Sequence, residues 1–124
     1  MIEPVAPTKF AQIHDHCVQA TLNFETSQLQ VRAYNNGAAY RWITKSENET
    51  NIRRERLQWP VKPDAQVYFP SETSMLSHNE RIYKVQPFSG IVPDSFCSLP
   101  VLLQIDDVNV LFTEADVYDY PCMF

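Results

Sequence analysis

Two histidines near the start of the chain have the residue type and spacing of metal ligands. They lie in the stretch His14-Asp15-His16-Cys17. On a β-strand, His14 and His16 project to the same side, as two zinc ligands would. Structural zinc sites usually need four ligands, so others must come from elsewhere, with His78 and Cys97 as candidates. An exposed segment that leads into a strand (an exposed strand entry) would contain the same residue types, and we favour that interpretation.

A second group of polar side chains lies in one long segment, Ser71 to Pro93. Its members that could do chemistry are Glu72, His78, Asn79, Glu80 and Arg81. Segments of this length without regular structure are uncommon in compact domains unless they bind something or pack on another element. Composition alone favours a solvated connection in which Glu80 and Arg81 pair with their neighbours.

The third group consists of the carboxylates at the C-terminal end, Glu114, Asp116 and Asp119. In an extended chain Glu114 and Asp116 lie on one face. Calcium takes about 6–8 oxygen ligands, a number that this pair cannot supply. The acids are therefore either ordinary surface charges or part of a site completed by another domain. Phosphate-binding and nucleophile motifs are absent, and the chain has only 2 glycines.

The elements that would carry these residues are β-strands. Apolar and polar residues alternate in CVQATLNFET and QLQVRAY, which predicts half-buried strands. Asn36-Gly37 then predicts a tight hairpin, and Asp106-Asp107 predicts another between two apolar runs. NIRRERLQW, residues 51–59, is a poorly patterned strand candidate. The sequence predicts an all-β fold, an antiparallel β-sandwich, as a single domain over residues 1–124.

Composition excludes several classes of function. The net charge is -5, whereas binding of nucleic acid needs a basic surface. No window approaches the roughly 20 apolar residues of a membrane span, and the first residues show no signal peptide. The cysteines, Cys17, Cys97 and Cys122, are odd in number and widely spaced, so no disulfide framework is indicated.

Four stretches of the chain, taken in order, resemble one enzyme family. They are VRAYNNGAAYRW (31–42), YFPSETSMLSHNERIY (68–83), FCSLPVLL (96–103) and LFTEADVYDYPCMF (111–124). Together they look like the N-terminal β-supersandwich domain of glycoside hydrolase family 97, α-glucosidases and α-galactosidases known chiefly from Bacteroides-type bacteria. The family usually has glycine where this chain has Cys122.

The resemblance implies a larger parent enzyme that is periplasmic or secreted. In it the N-terminal domain packs on a catalytic (β/α)8 barrel, which holds the catalytic acids and binds the α-linked oligosaccharide. For the inverting members of the family it also implies a calcium ion near the sugar, held by several glutamates, one of them from the N-terminal domain. By position in the motif that ligand is Glu114. No catalytic residue is assigned to this chain.

Two other functions remain open. A free-standing carbohydrate-binding module would use Tyr40, Trp42, Trp59 and Tyr68 as a stacking platform, although sandwich interiors are also rich in such residues. A structural role would involve self-association through exposed apolar surface and unpaired strand edges.

The isolated chain is predicted to have no hydrolytic activity. Glycoside hydrolysis requires two facing carboxyl groups, about 5–5.5 Å apart for retention or about 6.5–9.5 Å for inversion, and the chain offers no credible pair. Incubation with a nitrophenyl α-glucoside and a nitrophenyl α-galactoside should release no nitrophenol. Release above that of a heat-denatured sample would contradict the prediction.

Overall fold

The chain forms two compact units in a computed structural model that describes residues 12–46, 48–77, 80–118, 120 and 122–123. The first unit comprises Met1–Arg53 and the second Arg54–Phe124, and each is described by itself. All strand pairs in the described residues are antiparallel, and these residues contain no α-helix. The predicted fold class, an all-β antiparallel sandwich, is thus confirmed, while the single domain over 1–124 stays a prediction.

The first unit is a three-stranded meander with one apolar and one polar face. Its strands are β1 (Val18–Asn23), β2 (Ser27–Tyr34) and β3 (Gly37–Thr44), in the order β1-β2-β3. The pairing places nine apolar side chains on one face: Val18, Ala20, Leu22, Leu29, Val31, Ala33, Ala38, Tyr40 and Trp42. Polar residues dominate the other face, where Arg32 donates to Gln19 and Arg41 donates to Gln30. The alternation read from the sequence is confirmed.

The turn between β2 and β3 differs from its predicted form. The hairpin is present, but Tyr34 pairs with Gly37, so the two loop residues are Asn35 and Asn36. Gly37 is the first residue of β3 and does not have a positive φ. A Cβ atom at Gly37 would meet nothing within 4 Å. The assignment of Asn36-Gly37 as the two turn residues was therefore wrong by one position.

The second unit contains a four-stranded sheet and a two-stranded sheet. The larger sheet has the order β6-β4-β8-β9 and the smaller pairs β5 with β7. The strands are β4 (Gln66–Phe69), β5 (Ser71–Glu72), β6 (Lys84–Pro87), β7 (Phe96–Cys97), β8 (Val101–Ile105) and β9 (Val108–Phe112), and a short 3-10 helix covers Phe88–Gly90. The predicted hairpin at Asp106-Asp107 joins β8 to β9. The strand expected over 51–59 is not formed, because no part of 51–62 is paired.

The core of the second unit is small and lies on one face of the four-stranded sheet. Val67, Phe69 and Leu103 are buried, with exposed fractions of 2%, 8% and 4%. Val67 pairs with Leu103, so the two strands in the middle of the sheet supply the centre of the core. Partly buried side chains pack around it: Val61, Ile91, Cys97, Ile105, Val110 and Phe112. The described residues contain no helix that could cross a membrane.

Truncation of Leu103 should test how far the second unit depends on this small core. We expect Leu103→Ala to lower the free energy of unfolding by about 2–5 kcal/mol, because the site loses buried methyl groups and gains a cavity. Leu111→Ala is the matched control, because Leu111 lies on the opposite face and is 58% exposed.

The control should cost about 1 kcal/mol or less. Urea denaturation followed by Trp59 fluorescence in a Trp42→Phe background reports the second unit, since the chain has only 2 tryptophans. Equal losses for the two variants would show that Leu103 is not at the centre of the core.

Candidate functional site

Glu114, the residue proposed as a calcium ligand, lies just beyond the end of β9. The strand ends at Phe112, and the chain leaves the extended conformation at Asp116, which has a φ of 60°. The chain then returns so that the backbone N–H of Met123 donates to Oε2 of Glu114 at 3.0 Å. Among the described residues, Oε1 of Glu114 has no hydrogen-bond partner. The side chain is half-buried.

The surroundings of Glu114 do not by themselves form a metal site. In the part of the chain that the structure describes, no group of three or more His, Cys, Asp or Glu side chains is placed to hold a metal ion. Asp119 lies outside the described residues. The Glu114 carboxylate is the hard oxygen donor that calcium prefers, but most of the roughly 6–8 ligands would have to come from elsewhere. The role of Glu114 as a calcium ligand stays a prediction.

A hydrogen bond near the C-terminal end joins distant parts of the second unit. The hydroxyl of Tyr120 donates to Oε2 of Glu55. This bond, together with burial and the carboxylate charge, raises the pKa of the Tyr120 phenol to about 12. The hydroxyl therefore remains protonated at neutral pH and keeps donating to Glu55.

The most strongly organised polar group in the second unit is the buried carboxylate of Glu72. Its side chain is fully buried, with 0% exposure. Oε2 accepts hydrogen bonds from Ser77 Oγ at 2.8 Å and from Arg81 Nε at 3.0 Å, and Oε1 accepts from Ser98 Oγ at 3.2 Å. All three donors follow β5 in the sequence, Ser77 and Arg81 in the segment after it and Ser98 directly after β7. Glu72 therefore holds the segment that follows β5 against the residue after β7.

The charge of Glu72 is set by two opposing effects. Burial raises the pKa of the carboxyl, whereas the hydroxyls of Ser77 and Ser98 and the guanidinium of Arg81 lower it. The net pKa lies below its ordinary value of 4.5, so Glu72 is ionised at neutral pH. Burial, and then the negative charge of Glu72, raise the pKa of the Cys97 thiol to about 11. A thiol that stays protonated is a poor nucleophile and metal ligand.

The structure departs from the solvated connection expected for Glu72 and Arg81. Arg81 does pair with a neighbour, but that neighbour is the buried Glu72. His78 and Asn79, named with them, lie outside the described residues. Pro70 separates β4 from β5 and interrupts the alternation, so the burial of Glu72 cannot be read from period two. The serines and the arginine near Glu72 in the sequence were the only indication that its carboxylate could be buried.

The residues weighed as zinc ligands are not brought together among the described residues. His14 and His16 are both exposed, and Asp15 between them forms an ion pair with Arg32 at 3.5 Å. The three cysteines are free thiols. His78 falls outside the described residues, and the Cys97 thiol has the raised pKa described above. These observations favour the exposed strand entry.

The four aromatic residues proposed as a platform divide between the two units. Tyr40 and Trp42 share the apolar face of the first unit, and the Phe24 ring lies 5.8 Å from the Trp42 ring. In the second unit, the Trp59 ring meets Phe112 edge-on at 5.6 Å. Tyr68 lies on the other face of that sheet from Phe112. Trp59 and Tyr68 therefore do not form a common platform with each other.

Comparison with known proteins identifies the class. The family model described as Glycosyl-hydrolase 97 N-terminal matches residues 2–124. The match covers nearly the whole chain, so the chain belongs to this family as an N-terminal domain of a glycosidase. The resemblance seen in the sequence is confirmed.

One curated relative and the search for related structures add detail. The chain is 23% identical over 137 aligned residues to a retaining alpha-galactosidase of Bacteroides thetaiotaomicron. The alignment covers 99% of this chain and 21% of that enzyme, so the chain spans about a fifth of its relative's length. No solved structure matches the chain.

The Glu72 cluster should make the second unit sensitive to acid. The ionised carboxylate is favoured by the fold, so its contribution is fully present above pH 4.5 and is lost as pH falls through the lower folded pKa. We expect Glu72→Gln to lower the urea midpoint at pH 7, with a difference from wild type that shrinks below pH 4.5.

The control for this comparison is Asp107→Asn, which removes an exposed carboxylate from the same unit. Asp107→Asn should leave the urea midpoint nearly unchanged both at pH 7 and below pH 4.5. Trp59 fluorescence in the Trp42→Phe background again reports the transition. A Glu72→Gln difference that does not depend on pH would exclude a role for the carboxylate charge.

Proposed function

We propose that this chain is the non-catalytic N-terminal domain of a family 97 α-glycosidase, which acts on α-glucosidic or α-galactosidic bonds. The observation that carries the proposal is the family match over residues 2–124, in a chain that spans 21% of a related glycosidase. A chain with these proportions contributes one domain of a larger enzyme. Packing on a catalytic barrel is the role that fits the N-terminal domain of such an enzyme.

The positions of the acidic side chains support a non-catalytic role. Glu72 is fully buried and already accepts three hydrogen bonds, so it cannot reach a substrate. Glu114 is half-buried and accepts a backbone N–H. Hydrolysis of a glycosidic bond needs two carboxyl groups on opposite sides of that bond. We assign both of them to the barrel.

Glu114 is the residue that would connect this domain to the sugar site. Its Oε2 is held by the N–H of Met123, which fixes the carboxylate and leaves Oε1 available. In the proposed enzyme Glu114 would hold calcium together with glutamates of the barrel. When bound, the ion supplies Lewis-acid chemistry and orients substrate hydroxyls. Docking of the domain would then be coupled to completion of the site.

The coding sequence beyond Phe124 gives a direct test of the domain assignment. The proposal expects the reading frame to continue into a catalytic barrel of the same family. A stop codon at this point in an intact genome would contradict the proposed parent enzyme. A leader sequence upstream would support the periplasmic or secreted location, which we propose on the family resemblance.

Substitution of Glu114 in the full-length enzyme should weaken calcium binding. Loss of a supporting residue around a metal typically costs about 10–100-fold in affinity, so we expect Glu114→Gln to cost at least about tenfold. Titration calorimetry and the calcium-dependent rise in Tm measure this without reference to activity. Asp116→Asn is the matched control, because Asp116 lies two residues further on and is exposed. Unchanged calcium affinity in Glu114→Gln would remove Glu114 from the site.

A carbohydrate-binding role is the second candidate, favoured by one observation. Tyr40 and Trp42 lie on the same face with Phe24 beside Trp42, and the Trp42 side chain is 44% exposed. Sugar sites combine aromatic rings with a few placed polar groups, whereas the side chains of this face are apolar apart from Ser27, Thr44 and the Tyr40 hydroxyl. The composition of the face therefore favours protein packing over sugar binding.

Fluorescence titration separates these two roles. In a Trp59→Phe background the signal comes from Trp42, and an α-linked glucose or galactose oligosaccharide should leave it unchanged if the chain is a packing domain. A saturable change that Tyr40→Ala weakens would instead support the carbohydrate-binding module.

A further inference from the structure

The stretch of chain that carries Glu114 is held by side-chain hydrogen bonds and not by a sheet. β9 ends at Phe112, and residues 113–118, 120, 122 and 123 form neither helix nor strand. No backbone–backbone hydrogen bond joins these residues to one another or to the rest of the described chain. The sheet therefore does not fix the position of the Glu114 carboxylate, although its proposed role requires a fixed position.

Two hydrogen bonds close this stretch into a loop and fasten it. The backbone N–H of Met123 donates to Oε2 of Glu114 at 3.0 Å, which joins the two ends of the loop. Between these ends, the hydroxyl of Tyr120 donates to Oε2 of Glu55, which precedes the four-stranded sheet. The first bond holds the carboxylate, and the second holds the backbone that supplies the N–H.

The bond at Tyr120 limits where the N–H of Met123 can lie. Met123 is 9 residues beyond Glu114, and an extended chain of that length reaches about 30 Å. The three residues from Tyr120 to Met123 reach only about 10 Å. Fastening Tyr120 to Glu55 therefore shortens the reach of the Met123 N–H about threefold and raises its effective concentration at the carboxylate.

Burial along the loop follows the same two bonds. Glu114, Tyr120 and Met123 are half-buried, whereas residues 115–118 between them are exposed. A hydrogen bond to a carboxylate is stronger than one between neutral groups, and partial shielding from water strengthens it further. The loop is thus held at the points where its bonds are strongest, and its exposed part contributes no bond of its own among the described residues.

We propose that Tyr120 is a positioning residue for the Glu114 carboxylate. Its bond to Glu55 fixes the returning backbone, so that the N–H of Met123 holds the carboxylate in one orientation. A free glutamate side chain samples several rotamers, and a carboxylate that is already held loses less conformational freedom when it binds an ion. The consequence for calcium rests on the proposed function, whereas the arrangement itself is a property of this chain.

Amide exchange measured by NMR on this chain tests the arrangement without any metal. We expect Tyr120→Phe to speed exchange of the Met123 amide by about 2–10-fold, the factor that one hydrogen bond of ordinary strength contributes. Tyr118→Phe is the matched control, because Tyr118 lies two residues away and is 85% exposed. The control should leave the Met123 amide at the wild-type rate.

Substitutions of Glu55 test the same bond from the other side. Glu55→Gln retains an oxygen that can accept from the Tyr120 hydroxyl, so the Met123 amide should exchange at nearly the wild-type rate. Glu55→Ala removes the acceptor and should behave like Tyr120→Phe. Agreement between these two losses, with recovery in the glutamine variant, would assign the effect to the hydrogen bond.

Calcium binding by the full-length enzyme tests the consequence. Removal of residues that orient metal ligands typically costs about 10–100-fold in affinity, and we expect Tyr120→Phe to cost about tenfold. In a Glu114→Gln background the same substitution should cause little further loss, because its effect passes through a carboxylate that is already missing. Titration calorimetry on the wild type, the two single variants and the double variant measures this difference.

Three results would overturn the inference. The first is an unchanged Met123 exchange rate in Tyr120→Phe, and the second is an equal change in Tyr118→Phe. The third is a loss of calcium affinity in Tyr120→Phe that adds in full to that of Glu114→Gln, which would give Tyr120 a general structural role. Unchanged calcium affinity in Glu114→Gln alone would contradict the proposed function, and the exchange rates would still decide whether Tyr120 positions the carboxylate.

Discussion

The organisation of the second unit depends on the cost of burying one negative charge. The Glu72 side chain has no exposure to water, and a buried carboxylate is tolerated only when its oxygens are paired. Arg81 and the hydroxyls of Ser77 and Ser98 meet that requirement. Each of these donors lies outside a strand, so satisfying the charge also fixes the path of the irregular segment after β5. An apolar residue at position 72 would impose no such constraint on the chain.

In the described part of the chain, hydrogen bonds from side chains to the backbone supplement a small hydrophobic core. Only Val67, Phe69 and Leu103 form the buried hydrophobic cluster in the second unit. In the second unit the Tyr83 hydroxyl donates to the carbonyl of Pro100 at 2.9 Å. In the first unit the Lys45 ammonium group donates to the carbonyl of Phe24 at 2.8 Å. Such contacts join strand ends to loops. They are the contacts expected where sheets expose one apolar face to a neighbour.

The sequence was informative where structure depends on neighbours along the chain. Alternation located β1 and β2, because side chains on a strand change face at every residue. The Asp106-Asp107 turn between two apolar runs located the β8–β9 hairpin. Alternation was uninformative for the unpaired residues 51–62, for the break at Pro70, and for the return of Met123 to Glu114. The last of these depends on the left-handed conformation of Asp116, which an aspartate adopts only in particular surroundings. The candidate site could therefore be named by resemblance, but its geometry could not be derived.

The bond between Tyr120 and Glu55 has a consequence for the way the second unit opens. It joins two residues that are 65 positions apart, one before the four-stranded sheet and one after it. The segment that leads into the sheet and the segment that leaves it are therefore tied to each other, and local opening of either one has to break the same hydrogen bond.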